Sequence, residues 1–340
     1  MARSKQAQAL TDRVYHFVNA SLDGEQHERF EDIARAIASW QHPLCEGRRH
    51  LAPPSMETPW QELPSVPVDL FKSLHIGTVP AVSDAHCFQT SGTTQGVRGK
   101  HWMWDNALYD LGALRWMRVC VPDAPAATVS LLDDPRHAPD SSLSHMVALF
   151  GSADHPGSWH TRDGHLNHAS LNARLAAQTE PVFLTATAFA LAEWLTTSPA
   201  ALADGSVVMV TGGFKGRRHE LTQEELYART QTSLQPLRIV TEYGMTELSS
   251  QLWGEPDTTY RPPPWLRIVA LDPVEGTPLP PGTTGQLRFV DLCNVDGAVC
   301  IDTLDQGTVS PSGEVTLAGR LPGSDVRGCS LTVEDAWERN

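Results

Sequence analysis

Apolar residues recur every three to four positions through "QAQALTDRVYHFVNA" and "EQHERFEDIARAIASWQH", which predicts two N-terminal amphipathic helices. From Pro53 to Pro80 the chain is Pro-rich and reads as largely extended, including "VPVDLFKSLHI" at Val66 to Ile76. Past a polar run, "FQTSGTTQGVRGK" at Phe88 to Lys100, Asp105 is placed to N-cap a helix through "NALYDLGALRWMRVC". "TVSLLDD" then reads as a buried strand and "SSLSHMVALFGSA" as a helix. "PVFLTATAFALAEWLTT" reads as a strand turning into a helix, and "GSVVMVTGGFKG" as a strand entering a glycine turn. Thr222, with Glu225 three residues on, opens a helix with a capping-box pattern, and "LRIVTEYGMTELSS" is a strand ending in a polar turn.

Alternating strand and helix predict an α/β fold with a parallel sheet covered on both faces. Ligands of such sheets bind beyond the carboxyl ends of the strands, so Thr211, Thr241 and Thr246 draw attention. From Tyr260 the pattern changes to short strands with Gly/Pro turns: "WLRIVALDP", "GTTGQLRFVDL", "AVCIDTLDQGTV" and "GEVTLAGR". The expected organisation is N-terminal helices and an extended segment over 1–80, an α/β core over 81–258, a β-rich subdomain over 259–320 and a short tail over 321–340.

The 340 residues allow one large domain or two ordinary ones, and 41% hydrophobic with 19% charged residues indicates a folded globular protein. A net charge of -14 without a basic patch argues against nucleic acid or an anionic membrane surface as partner. The N-terminus has no apolar signal core and no apolar run is long enough to span a bilayer. The six cysteines form no CxxC pair and no zinc-finger spacing with histidine, so the reading is a soluble cytoplasmic protein with reduced thiols. Of 26 basic residues only four are lysines, and Lys72, Lys100 and Lys215 all fall in segments singled out here.

Two motifs carry chemistry. In "TSGTTQGVRGK" the hydroxyls and glycine N–H groups suit phosphate oxygens, with Arg98 and Lys100 adding charge, although the Walker A spacing is absent and a polar loop has the same composition. In "TEYGMTE", Tyr243 can stack on a flat base, Thr246 can donate to a phosphate and Glu247 can ligate Mg²⁺; a plain strand-to-turn connection remains open.

In order and separation, the pair resembles the adenylate-forming (acyl-activating) superfamily, with its "TSGTTG"-type loop and "YGxTE" segment. "DTLDQG" looks like the superfamily's T-x-D segment, and "GRLPGSDVRGCSL" like a shortened segment leading to its hinge. "TGGFKG" resembles the glycine-pair turn lining the adenine pocket. Over about Val66 to Glu334 the chain is more closely similar to the acyl-protein synthetases of the bacterial bioluminescence fatty-acid reductase complex. They share the "FK" segment, a "SSL..MV"-like segment and the "GGxKG" turn, and they lack the mobile C-terminal domain of larger relatives.

The resemblance implies the large N-terminal-type domain of these enzymes, with parallel-sheet layers and a β-rich subdomain. It implies ATP and Mg²⁺ and activation of a carboxylic acid, by family default a fatty acid. Thr90, Ser91, Gly92, Thr93, Thr94 and Lys100 would cradle phosphates. Gly212, Gly213, Tyr243 and Gly244 would line the nucleotide pocket. Asp305 would hold the ribose, Arg320 would contact the nucleotide, Thr246 would touch the α-phosphate and Glu247 would bind the metal. Cys329 matches the acyl-accepting cysteine, with Arg327 placed to lower its pKa. The acyl group would then pass to a reductase, transferase or carrier-protein partner.

Larger relatives use a lysine of the missing domain, and Lys72 or Lys215 is the candidate replacement. Gln95 stands where the family has Gly. His101 and His145 lie near these segments and read first as satisfied polar residues. Trp102, Trp104 and Trp253 are candidate walls for a bulkier acid. The competing readings are an acyl-CoA or carrier-protein ligase with the same adenylate chemistry, and a non-catalytic nucleotide-binding subunit.

Overall fold

The computed structural model describes residues 3–25, 27–46, 52–80, 85–91, 97–151, 157–213, 221–256 and 258–321. The periodic N-terminal segments form α1 (Lys5–Asp23) and α2 (Phe30–Gln41). Ser4 caps α1 by accepting from the Ala7 N–H, and Gly24, at φ 73°, ends it in the left-handed conformation. Their apolar stripes, Leu10, Val14 and Phe17 on one and Ile33 and Ile37 on the other, face a shared core. The amide of Gln41 leaves that core toward the far end of the chain. Its Nε2 donates to the carbonyls of Asn294 and Val295, and its Oε1 accepts from the Val299 N–H.

The Pro-rich stretch is less extended than its composition suggests. β1 covers only Val66–Pro67, and Val68–Lys72 winds into a short 3₁₀ turn that buries Phe71. Proline fixes φ near the value such a turn needs, so Pro67 leads into it as readily as into a strand. β2 (His86–Gln89) and β3 (Lys100–Met103) pair as a hairpin whose connection carries the hydroxyl-rich loop. α3 (Ala107–Cys120) begins one residue later than expected: Asn106 holds the cap position, while Asp105 accepts from the Ala107 N–H at 3.0 Å.

β4 (Ala127–Asp133), α4 (Ser142–Ala148), β7 (Val182–Thr187), α6 (Ala188–Leu195), β8 (Val207–Thr211), α7 (Gln223–Leu234) and β9 (Arg238–Tyr243) follow the predicted alternation. The Thr222–Glu225 capping box is present at the start of α7. Between α4 and β7 lie β5 (Ser158–Arg162), β6 (His165–Leu166) and α5 (His168–Ala176), too short and too polar to announce themselves in the hydrophobic pattern. The sheet runs β10-β9-β8-β7-β4-β5-β6, where β10 is Leu252–Gly254. Its inner pairs are parallel and its two edge strands antiparallel.

Both faces are covered. Phe183, Val207, Met209 and Val240 face the helices α1 to α4, and Val182, Leu184, Val208, Val210 and Ile239 face α5 to α7. Burial on both sides explains why β7 and β8 read as continuous apolar runs. The second sheet holds β11 (Leu266–Leu271), β12 (Gly285–Asp291), β13 (Cys300–Val309) and β14 (Val315–Arg320), with β1 added parallel to β13. It packs its apolar side, Leu266, Ile268, Leu287, Phe289 and Ile301, in a third core with Phe71 and Tyr243. The carboxyl edge of the parallel sheet therefore meets the β-rich layer and the β2–β3 hairpin.

Candidate active site

The base of the hydroxyl-rich loop is tied into the hairpin. Thr90 N–H donates to the Gly99 carbonyl, and the Gly99 N–H donates back to Thr90 Oγ1 at 2.8 Å. Arg98 does not reach outward: Nε donates to the Thr90 carbonyl at 2.6 Å, Nη1 to Asp140 at 2.5 Å and Nη2 to the Gln89 carbonyl. Its role in the structure is to brace the loop against the start of α4, a task the charge count alone could not assign. Ser91 is buried and Lys100 exposed. Gly92, Thr93, Thr94, Gln95 and Lys215 lie outside the described residues, as do Arg327 and Cys329.

The motifs from "YGMTE" to the last strand converge. Tyr243 ends β9, and its hydroxyl donates to Asp305 Oδ2 at 2.6 Å while its ring stacks on Phe289 at 5.8 Å between centroids. Arg320 Nε donates to the other oxygen, Asp305 Oδ1, at 3.1 Å. β13 and β14 bring this pair opposite each other through their antiparallel register, so residues fifteen apart meet by strand pairing. Gly212 turns out of β8 at φ 71°, a conformation glycine adopts without steric penalty, and Gly213 follows toward Gln223.

Thr246 is buried, and its carbonyl accepts from His101 Nδ1 at 2.8 Å. That bond fixes the proton on Nδ1, because a carbonyl only accepts. Burial holds the His101 pKa down at about 4, with the bond to Thr246 opposing the shift. His101 Nε2 is buried without a partner, against the expectation of a satisfied ring, whereas His145 pairs with Asp110 at 2.6 Å. Trp253 is not a free pocket wall: it is fully buried against Phe150 in the core.

Glu247 is 5% exposed and lies in the same enclosure, its Oε1 3.4 Å from the Cβ position of Gly99. Burial pushes its pKa up to about 7, with the charges of Lys72 and Arg320 pulling the other way. Lys72 Nζ itself donates to Asp69 at 2.9 Å. Among the described residues Glu247 forms no ion pair, and no cluster of three His, Cys, Asp or Glu can hold a metal alone. A single buried carboxylate suits Mg²⁺, which is bound by one or two carboxylates together with phosphate oxygens.

A cavity of about 50 Å³ lies beside these groups, lined by Ser91, Leu132, Ser142, Ser144, Thr187 and Thr246 among others. One further carboxylate, absent from the sequence reading, sits at the same edge. Glu242 accepts from Thr211 Oγ1 at 2.5 Å, and burial raises its pKa to about 7. An acid near the end of a strand buried along nearly its whole length was the available signal. Of the described cysteines, burial raises Cys87 and Cys120 to about 11 and Cys293 well above the ordinary thiol range, so none of these three is an activated thiolate.

No family model matches the chain. In sequence it is 26% identical over 140 residues to the long-chain-fatty-acid–luciferin-component ligase of Vibrio harveyi, across 38% of this chain and 37% of the relative. In structure it matches the O-succinylbenzoate coenzyme A synthetase MenE of Bacillus subtilis in complex with ATP and magnesium ion. That match has a TM-score of 0.51 and 15% identity over 72% of this chain and 53% of that one. The same enzyme in complex with AMP matches with a TM-score of 0.51 and 15% identity, over 70% and 50%. This is the fold of the adenylate-forming enzymes. The described residues correspond to their large α/β domain, and the resemblance to acyl-protein synthetases is borne out at the level of relationship. The chain spans about half the length of these solved adenylate-forming structures, and its aligned part little over a third of the curated relative. No helix among the described residues is long and apolar enough to cross a membrane.

Proposed function

We propose that this chain activates a carboxylic acid with ATP and passes the acyl group to a thiol, with its own Cys329 as first acceptor. The observation that carries the reading is the meeting of Tyr243, Asp305 and Arg320 beside buried Glu247, at the carboxyl edge of a parallel sheet faced by a hydroxyl-rich loop. An aromatic face, a carboxylate able to hold two ribose hydroxyls and an arginine within one bonded set suit a nucleotide. The curated relative's name gives a long-chain fatty acid as that protein's substrate.

The chemistry is a double displacement. The acid's carboxylate oxygen attacks the α-phosphorus, the bond to pyrophosphate breaks, and an acyl-adenylate forms. A thiolate then attacks the acyl carbon and AMP leaves with the bonding electrons. Alignment and charge neutralisation supply most of the rate enhancement. Thr90, Ser91, Gly92, Thr93, Thr94 and Lys100 take the phosphates, and Thr246 the α-phosphate. Gly212, Gly213 and Gly244 border the base that Tyr243 faces. Glu247 would hold Mg²⁺, whose charge neutralises the phosphates when bound. Lys72, already within the field of Glu247, and Lys215 are the cations available to the reacting carboxylate.

Acid-dependent ATP–pyrophosphate exchange tests the first step; its absence with every acid would leave a non-catalytic nucleotide-binding subunit. Incubation with ATP and labelled acid tests the second. A hydroxylamine-sensitive protein label lost in Cys329→Ser supports acyl transfer to this cysteine for hand-over to a reductase, transferase or carrier. An unlabelled protein with thiol-dependent AMP release supports direct transfer to coenzyme A or a carrier protein.

A further inference from the structure

The acid side of the site holds more polar chemistry than adenylation needs. Successive strand residues point to opposite faces, and the end of β9 divides accordingly. Tyr243 turns toward Asp305 and Phe289, the nucleotide side. Glu242 turns the other way, toward Thr211, opposite Trp253 on β10. Thr187, Thr211 and Glu242 are register partners, so they form one row across the carboxyl edges of β7, β8 and β9. Thr187, at one end of the row, lines the cavity that also reaches Ser91 and Thr246. Glu242, at the other end, is 4% exposed. Beneath the row the same face is filled by Phe183, Met209, Val240 and Trp253.

The far end of this row is unfinished. Thr211 occupies Glu242 Oε2, but Oε1 has no hydrogen-bond partner among the described residues. Oε1 lies 2.6 Å from where a side chain on Gly244 would begin, and Gln251 Cγ lies 3.5 Å from that same point. Gln251 is 5% exposed, and its Oε1 is buried without a partner. A carboxylate oxygen with room for a donor, and the side chain of Gln251, whose own oxygen is buried without a partner, therefore flank a residue that has no side chain. Unpartnered buried polar groups are rare in native proteins, and a ligand is one of the few things that completes them.

We infer that Glu242 and Gln251 are specificity-determining residues that receive a hydrogen-bond donor, an amino or hydroxyl group, carried by the carboxylic acid. The inference rests on the adenylation reading and adds the class of acid. With the carboxylate at Thr246 and the chain running along Thr187 and Thr211, the donor lies about two strand spacings, roughly 10 Å, from the cavity end of the row. A plain alkyl chain of that length would desolvate both acceptors and pair neither, so the site discriminates against it.

The test uses straight-chain acids from butanoate to decanoate with their ω-amino and ω-hydroxy counterparts, assayed on the full chain by pyrophosphate release. At the best length the donor-bearing acid should exceed the plain acid by about tenfold or more in kcat/KM. Glu242→Leu combined with Gln251→Leu should bring that ratio to about one, leaving the KM for ATP within about twofold. Glu242→Gln, which preserves volume, should keep the hydroxy acid and lose the amino acid. Plain acids winning at every length, a preference surviving in the double variant, or a change confined to the KM for ATP would overturn the assignment. Melting temperatures of wild type and variants with the same acids distinguish binding in the pocket from adenylation. Donor-dependent stabilisation without pyrophosphate release removes the adenylation reading but upholds the pocket, whereas stabilisation blind to the donor removes the pocket.

Discussion

Two carboxylates close to the end of β9 are held in opposite ways. Asp305, in the β-rich layer, takes the Tyr243 hydroxyl on one oxygen and Arg320 on the other. Its neighbour Asp302 is bonded just as fully, to Arg288 and Ser65. Glu242, at the edge of the parallel sheet, has one threonine, and Glu247 has no ion pair among the described residues. The first layer satisfies its charges before anything binds. The second keeps carboxylates buried and short of partners, which raises both to about 7. Groups perturbed in this way concentrate where a ligand or reaction completes them, so the difference separates a contact set in place before binding from carboxylates left for a ligand to complete.

The contrast can be broken from either side. Arg288→Ala strips a buried pair in the scaffold layer and should lower unfolding free energy by about 3–5 kcal/mol, read from urea denaturation. Glu247→Gln should leave the urea midpoint nearly unchanged while reducing acid-dependent pyrophosphate exchange by about a hundredfold, with the loss not recovered by added magnesium. Tyr243→Phe removes one donor from Asp305 and should raise the KM for ATP by about tenfold with little change for the acid. A stability loss in Glu247→Gln as large as that in Arg288→Ala would erase the distinction between the layers.

The smallest effect is in the pH profile. Glu242 and Glu247 have folded pKa values raised from 4.5 to about 7. The folded state therefore holds more protons than the unfolded state in that window, and this part of the stability is lost as pH rises through it. His101 works in reverse: its pKa falls from 6.5 to about 4, so its share is lost as pH falls. Removing Glu242 by the Gln variant should make stability rise more steeply with pH between 4.5 and 7. His101→Asn should do the opposite. Urea midpoints across that range read both slopes.

Much of this was legible in the chain because the signals were local or periodic. The α/β alternation, the capping box at Thr222 and the "YGMTE" turn each depend on residues within one element. What stayed hidden depends on register. Nothing in the order of residues says that Glu242 and Gln251 both close on Gly244, or that Arg98 spends its donors on Asp140 and backbone. The short β5–β6 pair and α5 were missed because a polar edge strand carries almost no apolar periodicity. The turn at Val68–Lys72 reads as extended in the sequence because proline suits both conformations.

The amide of Gln41 has a consequence for the order of assembly. It bonds three backbone groups between Asn294 and Val299, the nearest 253 residues away in sequence. A ribosome adds about 5–20 residues per second, so the end of α2 waits on the order of ten seconds or more for those partners to exist. During that interval the apolar stripes of α1 and α2 lack the segment at 290–300 that closes their core. Helices made well before residues 290–300 are thus among the last parts to be locked. Their exposed faces in the nascent chain are where chaperone dependence, or aggregation at high expression, should begin.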